Sequence, residues 1–457
     1  SQIPTGNNMA KSPRRPKGPN RLVRISVEGF KSINERQTLE FAPVTVLAGA
    51  NSAGKSSMLQ PLLLFKQTLE SPFDPGTLLL SGQNVKFTTA DQMLFHCAGE
   101  NCQREFAVEL ETNTGDWVRL VYSCPAKQGV ILSEMRYREG THDPVKRVYP
   151  GMSPKEIVPL LPPPFAQIAE DIAKKRKTSL HWSVERERFF LGFLLRDEEN
   201  ALALIFGPGG VATPVSGFLQ HVAGVLHLPG LRGNPKRDYP TTAVELDYPG
   251  TFETYVASVI NHWQKNNDPR VKEISEDLKL LGLTWKVEAQ KIDDTMVELR
   301  VGRLPSPRRG GAKDMVSIAD VGFGVSQTLP VLVALRVAEP GRLVYLEQPE
   351  IHLHPNAQAA LAKIIASAAK RGVIVVLETH SAILLRSIQT LVALGELDPE
   401  EVNLNWFKRD DSTGATRIKR AVPDENGAYG DWPEDFDDVA IKVETDYLDA
   451  VERRQHP

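Results

Sequence analysis

The sequence predicts an α/β fold with a mixed central sheet, an antiparallel β layer and a helical insertion, and three observations carry that expectation. Residues 44–48 form a short β-branched run that ends in Gly49-Ala-Asn51-Ser52-Ala53-Gly54-Lys55-Ser56-Ser57, and an apolar helical stretch follows at 58–64. Two more apolar runs, 343–346 and 373–377, end in polar clusters in the manner of buried parallel strands. Alternating segments at 22–27, 39–41, 78–87 and 106–124 read as strands of the antiparallel layer.

The run from Gly49 to Ser57 matches G-x-x-x-x-G-K-S in full, between a strand and a helix, which is the setting a phosphate-binding loop needs. Gly49 and Gly54 let backbone N–H groups reach phosphate oxygens without a Cβ in the way. Asn51, Ser52, Ala53 and Ser57 supply the rest of that backbone cradle. Lys55 is expected to pair with the β- and γ-phosphates and Ser56 to ligate Mg²⁺. The helix start adds its partial positive charge. The expected cofactors are ATP and Mg²⁺.

At 457 residues the chain is long enough for a large core and more than one lobe. A net charge of −3 gives no global attraction to nucleic acid, so any such contact must come from a local patch. Cys97, Cys102 and Cys124 show neither disulfide density nor paired metal-ligand spacing, as expected in a reducing cytosol. No apolar run approaches a membrane span, so a soluble cytoplasmic protein without membrane contact is expected.

In chain order, Ser1 to Asn8 reads as a tag remnant before a start at Met9, and residues 1–20 as a disordered basic arm. Lys11, Arg14, Arg15 and Lys17 would solubilise that arm or touch a phosphate backbone. Residues 21–125 form the first lobe, with the P-loop. Residues 126–216 are expected to be a helical insertion: Pro159, Pro162, Pro163 and Pro164 cluster ahead of helical segments at 165–177 and 187–206, with Phe189 and Phe190 in its core. This stretch is too short and too proline-broken for a long coiled coil.

The second lobe, 217–457, opens with a strand at 225–228 and the turn Pro229-Gly-Leu-Arg232-Gly-Asn-Pro-Lys-Arg237-Asp-Tyr239. Its two arginines suit either phosphate contact or ion pairs with nearby carboxylates. Arg303, Arg308, Arg309 and Lys313 sit on a Gly/Pro loop that is the best local patch for nucleic acid, a solvated loop being the alternative.

Three motifs then follow. Gly322-Phe-Gly324-Val-Ser326-Gln327 opens an apolar helix, Glu347-Gln348-Pro349-Glu350 ends an acidic strand, and Glu378-Thr379-His380-Ser381 ends the next. Ligands collect at the carboxyl ends of parallel strands, so Glu347 is expected beside Mg²⁺ and His380 at the γ-phosphate. Gly324, Ser326 and Gln327 lie at a helix start expected to face away from its own nucleotide. Two head-to-tail copies would each close the other's ATP, giving a homodimer or higher homo-oligomer. The motif order is that of a P-loop NTPase of ABC/SMC head type and not of an AAA+ ring.

On Leu346-Glu347-Gln348-Pro349-Glu350-Ile-His352-Leu-His354-Pro355, Glu378-Thr-His-Ser and Asp431-Trp432-Pro433-Glu434, the chain resembles bacterial ABC/SMC-like ATPases grouped with the overcoming-lysogenisation-defect (OLD) proteins, in a stand-alone form without the nuclease domain. The resemblance spans 22–438 and covers the proline-rich insertion least. It implies ATP hydrolysis, ATP-sandwiched heads, anti-phage defence and a separate effector such as a nuclease. One departure matters: where such ATPases carry Asp-Glu, this chain has Glu347 and Gln348. Glutamine can orient water but cannot take its proton, so slow hydrolysis is expected. Glu350 or Glu378 would supply the missing carboxylate, with Glu378 favoured because it ends the neighbouring strand. Asp410 and Asp411 read as a solvated turn, and His352 and His354 as capping or dimer contacts. The alternatives are an ATP-stabilised scaffold with little turnover and a DNA-repair or transport-type ABC subunit.

Overall fold

The structure is a computed structural model and describes residues 18–96, 104–161, 180–197, 215–242, 247–306, 314–430 and Thr445. Its centre is a six-stranded sheet of β10 (Leu226–Leu228), β15 (Leu343–Glu347), β16 (Ile374–Glu378), β3 (Val44–Gly49), β17 (Val402–Arg409) and β18 (Thr416–Ala421), in that order. All neighbours pair parallel except β17 and β18, which form an antiparallel edge. The continuous apolar runs of these strands are explained by burial on both faces. Val44, Val46, Val344, Leu346, Val375 and Leu377 enter one core, while Leu47, Leu343, Tyr345, Ile374 and Val376 enter the other.

On the second face lie α1 (Lys55–Glu70) and an antiparallel sheet. That sheet runs β2 (Gln37–Glu40), β1 (Leu22–Glu28), β4 (Glu105–Thr112), β5 (Trp117–Ser123), β6 (Ile131–Arg138), β7 (Lys146–Val148). The hairpin of β8 (Leu180–Glu187) and β9 (Phe190–Asp197) and the helix α2 (Ser216–Ala223) complete this layer. The first face is covered by α3 (Val256–Lys265), α4 (Arg270–Leu280), α5 (Phe323–Val337), α6 (Pro355–Lys370) and α7 (Ala382–Ala393). A smaller sheet of β11 (Tyr239–Pro240), β12 (Val287–Lys291), β13 (Met296–Gly302) and β14 (Met315–Ser317) packs into the same core. No helix of the described residues is long and apolar enough to cross a membrane.

Two expectations are corrected. The insertion over 126–216 holds more strand than helix where it is described: β6 and β7 extend the antiparallel sheet, and β9 replaces the helix expected from residue 187. Tertiary contacts override the local pattern there. Phe189 stacks on Phe65 of α1 at 4.4 Å, and Arg188, at φ 54°, donates to the terminal carbonyls of that helix at Leu69 (2.7 Å) and Ser71 (3.1 Å). The segment 78–87 is not a strand pair; it keeps a single bridge, Ser81 to Lys86. The Gln67 side chain takes the place of a ladder partner, accepting from Val85 N (3.0 Å) and donating to Val85 O (3.2 Å). The basic arm, the segment 165–177, Arg308, Arg309, Lys313 and Asp431 to Glu434 lie outside the described residues.

Candidate functional site

The loop after β3 is shaped by close approach as much as by dihedral freedom. A Cβ on Gly49 (φ 139°) would lie 2.2 Å from the Phe407 carbonyl of β17, and one on Gly54 (φ 96°) 2.3 Å from Thr416 Oγ1. Thr416 in turn donates to Ala53 O (2.9 Å), so the antiparallel edge of the sheet clamps the loop. Lys55 is buried and donates to Gly49 O and Ala50 O, each at 2.9 Å. Burial lowers its pKa, and the Glu378 charge opposes that shift.

Glu347, Glu378 and Leu47 are in register across β15, β16 and β3, so the two carboxylates stand side by side on the face that α1 covers. They turn in opposite directions. Glu378 accepts from Ser56 Oγ (3.2 Å) and from the Tyr345 hydroxyl. Burial pushes its carboxyl up to about 7, helped by the charge of Glu347 and opposed by the Tyr345 bond, by Lys55 and by Ser56. Glu347 points toward β10 and meets His227 Nε2 at 3.0 Å and Gly230 N at 3.1 Å. Burial pushes its carboxyl up as well, yet His227, the Gly230 N–H and Arg232 outweigh that push and hold it below the usual range.

Gln348 follows in a left-handed conformation (φ 44°), fixed by its N–H donating to Glu378 O (2.9 Å). Glu350 Oε1 accepts from Thr379 Oγ1 (2.6 Å) and His380 N (3.1 Å), which sets the His380 turn. Burial, then the Lys55 charge, lower the imidazole pKa of His380, which favours its neutral form.

A cleft of about 620 Å³ opens over these groups. It is lined by Asn51, Ser52, Ala53, Gly54, Lys55, Ser56, Ser57, Gln348, Glu378 and His380, which the structure thus brings together. Glu347, Gly324, Ser326 and Gln327 do not line it. Ser326 Oγ donates to Phe323 O (3.2 Å), and Gln327 is buried, donating from Nε2 to Gly233 O (3.1 Å). Phe323, half exposed beside them, lies 5.8 Å from the His352 ring. His354 caps α6, accepting from Asn356 N at 3.4 Å.

Sequence reasoning missed the opposite wall, where Gln92, Phe95, His96, Arg409, Thr413 and Gly414 line the cleft together with Lys31. The turn 410–414 was legible as a turn: Asp410 accepts from Ser412 N (3.0 Å) and Thr413 N (2.9 Å), and these bonds with the two hydroxyls hold its carboxyl well below the usual range. That the turn faces the P-loop follows only from β17 pairing with β3. Burial and then Arg409 depress the Lys31 pKa, and Lys31 Nζ donates to Gln60 Oε1 at 3.0 Å.

The donor set fits a small divalent cation. The Ser56 hydroxyl and the Glu378 carboxylate are hard oxygens one hydrogen bond apart. The charge that burial disfavours on Glu378 is the charge a cation would restore. Among the described residues no group of three or more His, Cys, Asp or Glu could hold a metal by itself.

A family model described as "AAA domain, putative AbiEii toxin, Type IV TA system" matches residues 309–386, from ahead of α5 into α7. A second, described as "Protein of unknown function (DUF2813)", matches residues 21–74, from β1 through α1. Comparison with curated proteins finds no match. Among solved structures the fold is similar to the SMC head domain from Thermotoga maritima, with 12% identity, 87% of this chain and 98% of that chain covered and a TM-score of 0.39. It is also similar to the Smc head domain of Pyrococcus furiosus with an extended coiled coil, bound to the C-terminal domain of ScpA, with 10% identity, 88% and 96% covered and a TM-score of 0.46. A further SmcHead, bound to the C-winged helix domain of ScpA, gives 12% identity, 88% and 98% covered and a TM-score of 0.45. The complete P-loop, the parallel order β15-β16-β3 and the glycine-started α5 ahead of β15 define a P-loop NTPase fold.

Proposed function

We propose that the chain binds ATP with Mg²⁺ in this cleft, hydrolyses it slowly, and uses nucleotide state to control its own assembly and a separate effector, such as a nuclease, in bacterial anti-phage defence. The observation that carries the reading is Ser56 of the P-loop touching Glu378, in a cleft that Gln348 also lines. The N–H groups of the loop and Lys55 grip the phosphates. Ser56 and Glu378 would hold Mg²⁺, which would supply charge neutralisation to the phosphates, while Glu347, expected beside the ion, is held on the β10 side by His227 and Gly230. Gln348 orients the attacking water but cannot take its proton. Glu378 is the one carboxylate among the described residues that lines the cleft, and as a cation ligand it is a weak base.

Ser326 of a second copy closes the site, so ATP joins two heads and hydrolysis releases them. The defence role and the effector rest on the OLD resemblance and on the matched family's description as a putative toxin. Contact with nucleic acid through the Arg303 loop and a cytoplasmic location belong to the same reading.

Steady-state turnover with Lys55→Ala as the binding-dead control tests the enzymatic part. Wild type should run well below the ordinary enzyme value of about 10 per second. Gln348→Glu should raise turnover by about tenfold or more, because it restores a general base. Wild-type turnover near that ordinary value rejects the slow switch. A second reading, a scaffold that ATP stabilises, is favoured by Gln348 and predicts ATP binding without turnover above the Lys55→Ala background.

A further inference from the structure

The turn after β10 ties together two places that the sandwich reading requires to act in step. Arg232 is 8% exposed. Its guanidinium donates to Gln327 O of α5 (2.9 Å) and, at the exit of β15, to Glu347 O (3.0 Å) and Gln348 O (3.3 Å). Gln327 answers with its amide, donating to Arg232 O (3.4 Å) and Gly233 O (3.1 Å). One end of the turn is held by Gly230 N on the Glu347 carboxylate. At the other end Arg237 forms a two-pronged ion pair with Asp320 (2.6 and 3.1 Å), just ahead of α5.

A buried guanidinium that spends its donors on backbone carbonyls has no carboxylate in contact, and burying such a charge costs stability. What it secures is geometry, since a planar fork fixes the carbonyls it touches relative to one another. Arg232 Nε and Glu350 Oε2 are both buried with no hydrogen-bond partner, and the charge of Glu350 acts on Arg232. The other oxygen of Glu350 holds the His380 turn. One side chain therefore touches the start of α5 and the Gln348 loop directly.

We propose that Arg232 is a positioning residue that makes the start of α5 and the Gln348 loop move as one body. A nucleotide of a second copy seated at Ser326 then sets Gln348 over the γ-phosphate of this copy, and the two sites fire cooperatively. The inference rests on the ATP-sandwich reading above. Arg409 and Lys31, by contrast, face the nucleotide cleft itself and add nothing beyond that reading.

The test compares full-length wild type, Arg232→Met and Arg232→Lys for ATP affinity by equilibrium binding, ATP-driven self-association by sedimentation, and turnover against ATP concentration. Wild type should be sigmoidal in ATP. Arg232→Met should keep affinity within about twofold and keep self-association, while turnover falls about tenfold and the curve becomes hyperbolic. Arg232→Lys should not rescue, because an ammonium has no fork to span the carbonyls.

The exposed pair supplies a variant that leaves the core untouched. Arg237→Ala should flatten the sigmoid, and the exchange Arg237→Asp with Asp320→Arg should restore it. Wild-type turnover and sigmoid shape in folded Arg232→Met, or affinity lost in proportion to turnover, overturns the proposal. A wild type that binds ATP but neither self-associates nor shows cooperativity overturns the sandwich reading, and this inference with it; the wild-type measurements alone reveal that case.

Discussion

Glu378 binds a proton in the folded chain that its unfolded counterpart has already released, because burial pushes its carboxyl up to about 7 from a starting value of 4.5. A carboxylate raised on folding favours the native state at low pH and opposes it once pH passes the folded value, so its cost appears across that window. Without nucleotide, Glu378→Gln should be more stable than wild type at about pH 8, by an amount on the order of 2 kcal/mol, with no advantage below about pH 4. Denaturant unfolding at the two pH values checks this. Gly54→Ala should cost about 1–3 kcal/mol and abolish ATP binding, since its φ of 96° and the Thr416 hydroxyl at 2.3 Å leave no room; unfolding and binding assays read both. Lys55, Ser56 and the glycines were legible because one contiguous motif carries them. Which acid would turn to Ser56 was not, because the choice between Glu347 and Glu378 depends on His227 and Gly230 holding Glu347 from the β10 side. Strand order decides that, and no local pattern states it.

At the scale of elements, α5 carries a motif whose residues the fold puts to different uses. Its glycine-led start does not line the cleft of its own chain, and Ser326 is partly exposed. Gln327, three residues from Gly324, is buried and bound to the Arg232 turn, so only part of the motif is free to meet another molecule. Ser326→Arg should leave ATP affinity within about twofold while preventing ATP-driven self-association, because a long charged side chain would occupy the place of the second phosphate chain; sedimentation with and without ATP decides it. The strands of the central sheet were legible from apolar runs that two buried faces demand. The β8–β9 hairpin was not: 187–197 has helix-compatible leucines, and only the Phe65–Phe189 stack and the Arg188 cap on α1 select the extended form.

The whole molecule is two cores joined by one sheet, and β3 contributes side chains to both. Ligand bound to the loop at the end of β3 should therefore stabilise the entire chain and not one lobe. At about a hundred times its dissociation constant, ATP with Mg²⁺ should add about 2.7 kcal/mol to the unfolding free energy, read as a single upward shift in Tm that Lys55→Ala abolishes. Two separated transitions, only one of them ATP-sensitive, would mean that the cores unfold independently.

The position of β3 has a further consequence for synthesis. Its two sheet neighbours, β16 and β17, come from residues 374–378 and 402–409, so the strand has both edges bare until the ribosome has made most of the polypeptide. Such edges invite chaperone capture in a nascent chain. A product truncated before Phe407 would lack the Phe407 carbonyl and the Thr416 hydroxyl that brace Gly49 and Gly54, and so could neither draw on the nucleotide pool nor poison assemblies of intact copies.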